Sequence, residues 1–198
     1  MAPRPDVSDE RKNQILEAAT TVFARLGFHR ARMDDIVQEA HLSKGALYWY
    51  FKSKDAVIEA LLDRIFDITF AELHALMQAE GPADARLITY IRRSAADLER
   101  MTWFVPIALE FYGLLSRHNV VKQTVKQYLK RLQDGLSGII QQGIDLGEFR
   151  DVDAQAAAIT IAGMYEGLLL LWLVDPETVP LRQSVETSIR LLLDGIKK

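Results

Sequence analysis

The sequence predicts an all-α protein, and three observations carry that prediction. Apolar residues recur at steps of three and four along almost the whole chain, and no segment alternates with period two over a useful length. Gly27, Gly81-Pro82, Gly147 and Asp175-Pro176 punctuate the periodic stretches where helices should end. The 198 residues, 49% hydrophobic and 26% charged, suit one or two soluble domains with a real core. Without cysteine the chain has no disulfide scaffold, thiolate metal site or cysteine nucleophile.

The first helix is marked by Ile15, Ala18, Ala19, Val22, Phe23 and Leu26, with Ser8 or Asp9 as cap and Gly27 as a left-handed stop. Two short helices follow, Met33 to Ala40 and Ser43 to Phe51, separated by His41 and Leu42. A longer one runs from Ser53 to about Gln78, where Gly81-Pro82 breaks the chain. Beyond it the periodicity gives helices at about Asp84 to Met101, Val105 to Arg117, Asn119 to Leu146, Asp153 to Val174 and Thr178 to Ile196. Pro106 fits only a first turn, Asn119 can cap, and Asp175-Pro176 closes one helix before Thr178 and Pro180 open the last. About nine helices are expected in total. The stretch from Ala154 to Val174 is long enough to span a membrane, but Glu166 within it would cost about 2 to 3 kcal/mol there. A core or dimer helix is expected instead. The charged, proline-rich Met1-Ala2-Pro3-Arg4-Pro5-Asp6 has no apolar signal core, so a cytoplasmic protein with no membrane partner is expected.

Charge divides unevenly along the chain. Residues 1–54 hold 9 Lys+Arg against 7 Asp+Glu, and the rest hold 15 against 20. A basic end on an acidic body suits a protein that offers one surface to nucleic acid.

Asp35 to Phe51 has the pattern of a helix-turn-helix. Ile36, Val37, Ala40, Leu42, Leu47 and Phe51 lock two short helices together, with small Ala40 at their close approach. Ser43 caps the second helix and leaves backbone N–H groups for a phosphate or base edge. That helix presents Lys44, Gly45, Ala46, Tyr48 and Trp49, where a purely structural helix would carry acids and long aliphatics. Tyr48 and Tyr50 can donate hydroxyls to phosphates, Lys52 and Lys54 add charge, and Gly45 and Ala46 allow deep entry into a major groove.

The segments Ile15-Leu16-Glu17-Ala18-Ala19, Phe23, Gly27-Phe28, Asp35-Ile36, Leu42-Ser43-Lys44-Gly45-Ala46-Leu47-Tyr48, Phe51 and Lys54 together resemble the TetR family of bacterial transcriptional repressors. The resemblance covers about Ser8 to Leu62. It implies a three-helix DNA-binding domain over 9–69, with its motif at about 32–51, and a helical effector-binding and dimerisation domain over 70–198. Arg32, beside Met33, stands where the family usually has a capping Thr or Ser; its guanidinium can keep the phosphate contact. His41 replaces the usual turn Gly and should tolerate positive φ.

In the body, Trp103, Phe104, Ile107, Phe111 and Leu114 crowd together, and Tyr128 and Tyr165 can join from later helices. A plain core would show the same cluster; the resemblance favours a pocket for a small lipophilic effector. Glu110 and Glu166 can meet a cationic group on such a ligand, pair with a base, or face solvent. Lys122, Lys126, Lys130 and Arg131 form a basic row expected to be a solvated face. The last two helices hold more apolar surface than one chain's edge needs, and Gly163 and Gly167 permit close approach of another helix. A four-helix homodimer interface through Ala158, Ala162, Gly163, Gly167, Leu168, Val185, Ile189 and Leu192 is expected, matched to a palindromic operator.

An enzyme is not expected. The four histidines show no ligand spacing, no phosphate loop occurs, and no metal or cofactor is called for. The competing class is a helical ligand-binding or adaptor protein without specific DNA binding, which would have no reason to keep Lys44, Tyr48 and Lys54.

Overall fold

The computed structural model describes residues 7–101 and 105–198, with the backbone alone at 7, 68, 69 and 106. Among the described residues there are nine helices and no strand: α1 Val7–Arg30, α2 Met33–Glu39, α3 Lys44–Tyr50, α4 Lys54–Gln78, α5 Ala83–Arg100, α6 Val105–Leu114, α7 Asn119–Asp145, α8 Ala154–Val174 and α9 Leu181–Ile196. They form two compact units. The first takes in the chain up to Arg64 together with 105–124, and the second the remainder. Helices α4 and α7 each begin in the first unit and end in the second.

In the first unit α1 buries Ile15, Ala19, Val22 and Phe23 and packs against α2 and α6. Gly27, at φ 75° and ψ 158°, breaks α1 as expected, but a last helical turn resumes through Arg30. Phe28 then packs between Phe23 and Phe111 with its ring tilted 52° to each, centroids 4.6 and 4.9 Å away. In the second unit α9 packs on α5 and α8, burying Leu181, Val185, Ile189 and Leu193 along one stripe. Gly135 lets α7 approach α4 closely, since a Cβ there would lie 2.5 Å from Leu73 Cδ2.

Two expected helix starts differ. The N–H of Lys122 donates to the carbonyl of His118, so His118 rather than Asn119 occupies the capping position of α7. The last helix opens at Leu181 instead of Thr178, because the Asp175 carboxylate accepts both the backbone N–H and the hydroxyl of Thr178 and holds a turn there.

Candidate nucleic-acid interface

The helix-turn-helix is assembled from local chemistry. At the start of α2 the Asp35 carboxylate accepts the Arg32 N–H at 2.8 Å. Arg32 has no side-chain acceptor to complete a reciprocal cap, so its guanidinium stays exposed and unpaired among the described residues. The Gln14 amide donates to the carbonyl of Ala40 at 2.8 Å and ties α1 to the turn. His41 takes φ 52°, the conformation its place in the turn demands. Ser43 then accepts the Ala46 N–H at 3.1 Å and starts α3.

Ile36, Ala40, Leu47 and Phe51 are buried between the helices, while Val37 and Leu42 are partly exposed. That packing fixes which side of α3 faces outward. Lys44 and Gly45 are exposed, Ala46, Tyr48 and Tyr50 partly so, and Trp49 is 78% exposed, an unusual state for an indole without a partner surface. Met33 is half-buried beside Arg32. Lys44 pairs with Asp34 at 2.8 Å, a contact that keeps the ammonium protonated beyond its ordinary range. Lys52 donates to the Tyr48 carbonyl at 2.7 Å and lies 6.0 Å from the Trp49 ring centre.

Lys54 differs from the expectation. Its ammonium donates to the carbonyls of Phe28 and of Ala31, the latter at 3.0 Å, with His29 at 3.5 Å. It therefore caps the end of α1 from the start of α4, and its three protons are already directed at protein oxygens.

The residues expected around an effector divide between the units. Trp103 and Phe104 lie outside the described residues. Ile107, Phe111 and Leu114 are buried in the first unit, on the face of α6 that packs α1. Glu110 is corrected: its carboxylate accepts the Phe28 N–H at 2.6 Å and closes over Gly27, so it caps the resumed turn of α1. The helix-turn-helix had local sequence signals. This bond, across 82 residues, had none.

Tyr128 and Tyr165 do line one cleft, in the second unit, with Tyr90, Ile91, Ser94, Leu132, Leu136, Ile161 and Ala162. It is narrow, about 240 Å³ counted to its mouth, with room for roughly one water at its centre. Tyr165 and Ser94 share a hydrogen bond of 3.0 Å. Tyr128 stacks on Phe66 of α4 at 3.9 Å, and the Arg131 guanidinium covers Phe70 at 3.7 Å. Glu166 is half-buried and does not line this cleft.

The expected dimer set is corrected in part. Ala158, Ala162, Val185 and Ile189 point into the chain's own core. Gly163 and Gly167 are exposed, Leu168 and Leu192 half so. The outward stripe of α8 consists instead of Ile159, Gly163, Gly167, Leu170, Leu171 and Val174, with Leu191 exposed on α9. Among the described residues no group of three or more acids and histidines could hold a metal ion.

A family model for bacterial regulatory proteins of the tetR family matches residues 15–61, and one for the C-terminal part of BetI-type transcriptional repressors matches 82–196. The chain belongs to the TetR family and is a DNA-binding transcriptional regulator, not an enzyme. It is 27% identical to the regulator TtgR of Pseudomonas putida over 199 residues, covering 96% of this chain and 93% of TtgR. With RutR of Escherichia coli it shares 29% identity, covering 94% and 91%. The fold matches SmeT, the repressor of a Stenotrophomonas maltophilia multidrug efflux pump, in its triclosan complex at a TM-score of 0.87, with 21% identity and 96% and 92% coverage. It also matches Bacillus subtilis FadR bound to stearoyl-CoA at 0.80, with 23% identity and 93% and 98% coverage.

Proposed function

We propose that this regulator is a cytoplasmic repressor that covers a palindromic operator as a homodimer and leaves it when a small lipophilic effector binds the body. The observation that carries the DNA reading is the outward face of α3. Its start is capped by Ser43, it carries Lys44, Gly45, Tyr48 and an exposed Trp49, and no acid interrupts it. Base readout falls to Lys44, Gly45, Ala46, Tyr48 and Trp49, whereas Arg32, Met33, Ser43, Tyr50 and Lys52 border the phosphates. Domain 9–69 reads, and 70–198 binds effector and partner. That SmeT and FadR are known with triclosan and stearoyl-CoA bound supports the effector part.

The cleft is the site we assign to the effector. Tyr128 lines it and stacks on Phe66 of α4, and α4 begins at Lys54, which is bonded to the end of α1. A ligand that turns the Tyr128 ring therefore loads the helix that holds the reading head. Coupling of this kind is worth about 1 to 3 kcal/mol.

Fluorescence anisotropy with a duplex from the gene's own upstream region and a scrambled duplex, at two salt concentrations, tests the reading. A preference of about a thousandfold for the native duplex is expected. Equal binding to both by folded protein would overturn it in favour of a ligand-binding adaptor.

A further inference from the structure

The outward side of α3 carries an apolar crest between its charges. Leu47 is fully buried, and Trp49, two residues on and so about 200° around the helix, stands 78% exposed. Gly45 and Ala46 lie one turn earlier on the same side, and a helical side chain leans toward the N-terminus, so the indole and these two positions form one patch. A Cβ at Gly45 would meet nothing within 4 Å. The chain itself therefore does not require glycine there, and alanine would make the better helix. What glycine provides is open space for a methyl group beside the indole. The cations are drawn off the crest, Lys44 to Asp34 at 2.8 Å and Lys52 to the Tyr48 carbonyl at 2.7 Å. The indole N–H is left as the only hydrogen-bonding side-chain group on the patch.

We propose that Gly45, Ala46 and Trp49 read the C5-methyl group of a thymine in each operator half-site. Every other group that a base pair shows in the major groove is a hydrogen-bond donor or acceptor, and an apolar patch laid on it would leave it unpaired. The thymine methyl is the exception: it gains by burial against the indole and fits the space where Gly45 has no side chain. Two exposed cations, Lys44 and Lys52, stand within a turn of the patch, and α3 holds no acid. Such surroundings match the phosphates flanking a groove rather than an apolar protein partner. This proposal rests on the reading of α3 as the helix that enters the major groove. It adds what the helix recognises at its most exposed point, with Lys44 and Tyr48 left to the polar base edges.

Fluorescence anisotropy tests it with the upstream duplex in two forms, one with thymine and one with every thymine replaced by deoxyuridine. Uracil keeps the O4 acceptor and lacks only the methyl, so hydrogen bonds drop out of the comparison. The parent should bind the thymine form about fourfold more tightly for one buried methyl, and about fifteenfold where both half-sites of a dimer carry one. Trp49→Ala and Gly45→Ala alter exposed positions and should fold as the parent does, which far-UV circular dichroism checks. Trp49→Ala should weaken binding of the thymine form and bring the two forms level. Gly45→Ala fills the space with its own methyl, so it should lose affinity for the thymine form and keep it for the deoxyuridine form. Lys52→Ala should weaken both forms alike and keep the parent's ratio. Equal binding of the two forms by a parent that still prefers the upstream over the scrambled duplex would overturn the methyl reading and leave DNA recognition standing. An undiminished ratio in Trp49→Ala would also overturn it, tracing the effect of the methyl to the shape of the DNA. A parent that prefers neither form over the scrambled duplex would overturn both this proposal and the reading on which it rests.

Discussion

Lys54 sends its ammonium into the carbonyl end of α1, where three oxygens within one helical turn receive it. A cation so placed stabilises a helix terminus and has little freedom to reach a phosphate. Lys54→Ala should therefore destabilise the chain by about 1.5 to 3 kcal/mol, the worth of hydrogen bonds to a charged group. Thermal denaturation would show it as a lower melting temperature. The salt dependence of operator binding should stay that of the parent. Lys52→Ala should do the opposite: its one bond, to the Tyr48 carbonyl, is exposed, so the melting temperature should fall much less than in Lys54→Ala while the salt slope falls by about 0.9. A reduced slope in Lys54→Ala would return that residue to the phosphates. The sequence placed Lys54 at the correct end of the motif. It could not show that the carbonyls of residues 28 to 31, some 25 positions earlier, fold back to meet it.

Between helices, two polar ties hold elements that the periodicity alone leaves unconnected. Glu110 on α6 accepts the Phe28 N–H at the Gly27 break, where φ 75° and ψ 158° belong to a region open essentially to glycine. Gly27→Ala should cost about 1 to 3 kcal/mol in thermal or urea denaturation. Its Cβ would also stand 2.8 Å from Glu110 Oε1, so the loss should be smaller in a Glu110→Ala background. Strict additivity would mean that the carboxylate and the break are independent. The second tie joins α5 to the end of α9 through Asp84 and Lys197, 2.7 Å apart. The hydrogen bond from Lys197 lowers the Asp84 carboxyl below its ordinary 3.8. A depressed carboxyl stabilises the fold above its unfolded value and loses that contribution as pH falls through the folded one. Asp84→Asn should thus melt below the parent at pH 7, with the gap closing as pH drops beneath about 3.8. A gap constant from pH 7 to 2 would deny the pair its charge.

For the molecule as a whole, legibility followed the range over which each feature is encoded. The helix-turn-helix was readable because Asp35, His41, Ser43 and the buried Ile36 and Leu47 act within a few residues of one another. The cleft joins Ser94 to Tyr165 across 71 residues, and the sequence supplied only its aromatic content. The outward face of α8 was harder still. That helix is apolar on nearly every side, so periodicity cannot distinguish the side facing the chain's own core from the side left outside. The structure separates them: Ala158, Ile161, Ala162 and Leu169 turn inward, while Ile159, Leu171 and a 69% exposed Val174 turn outward beside a 70% exposed Leu191. An apolar stripe of that length calls for cover, and in the homodimer we propose a second copy packing α8 and α9 against their counterparts would provide it. Gly163 and Gly167 lie on this stripe with nothing within 4 Å of where a Cβ would be, so within one chain a larger residue meets no obstacle. It should even stabilise the helix slightly, since glycine is the poorer helix former by about 0.5 to 1 kcal/mol. Across a close helix contact the same residue would hold the partners apart. Gly167→Leu should therefore melt no lower as a monomer, sediment as a monomer at concentrations where the parent is dimeric, and lose most of its operator affinity, because one reading head alone spans a single half-site. A Gly167→Leu protein that remains dimeric and binds operator as the parent does would move the interface off this face.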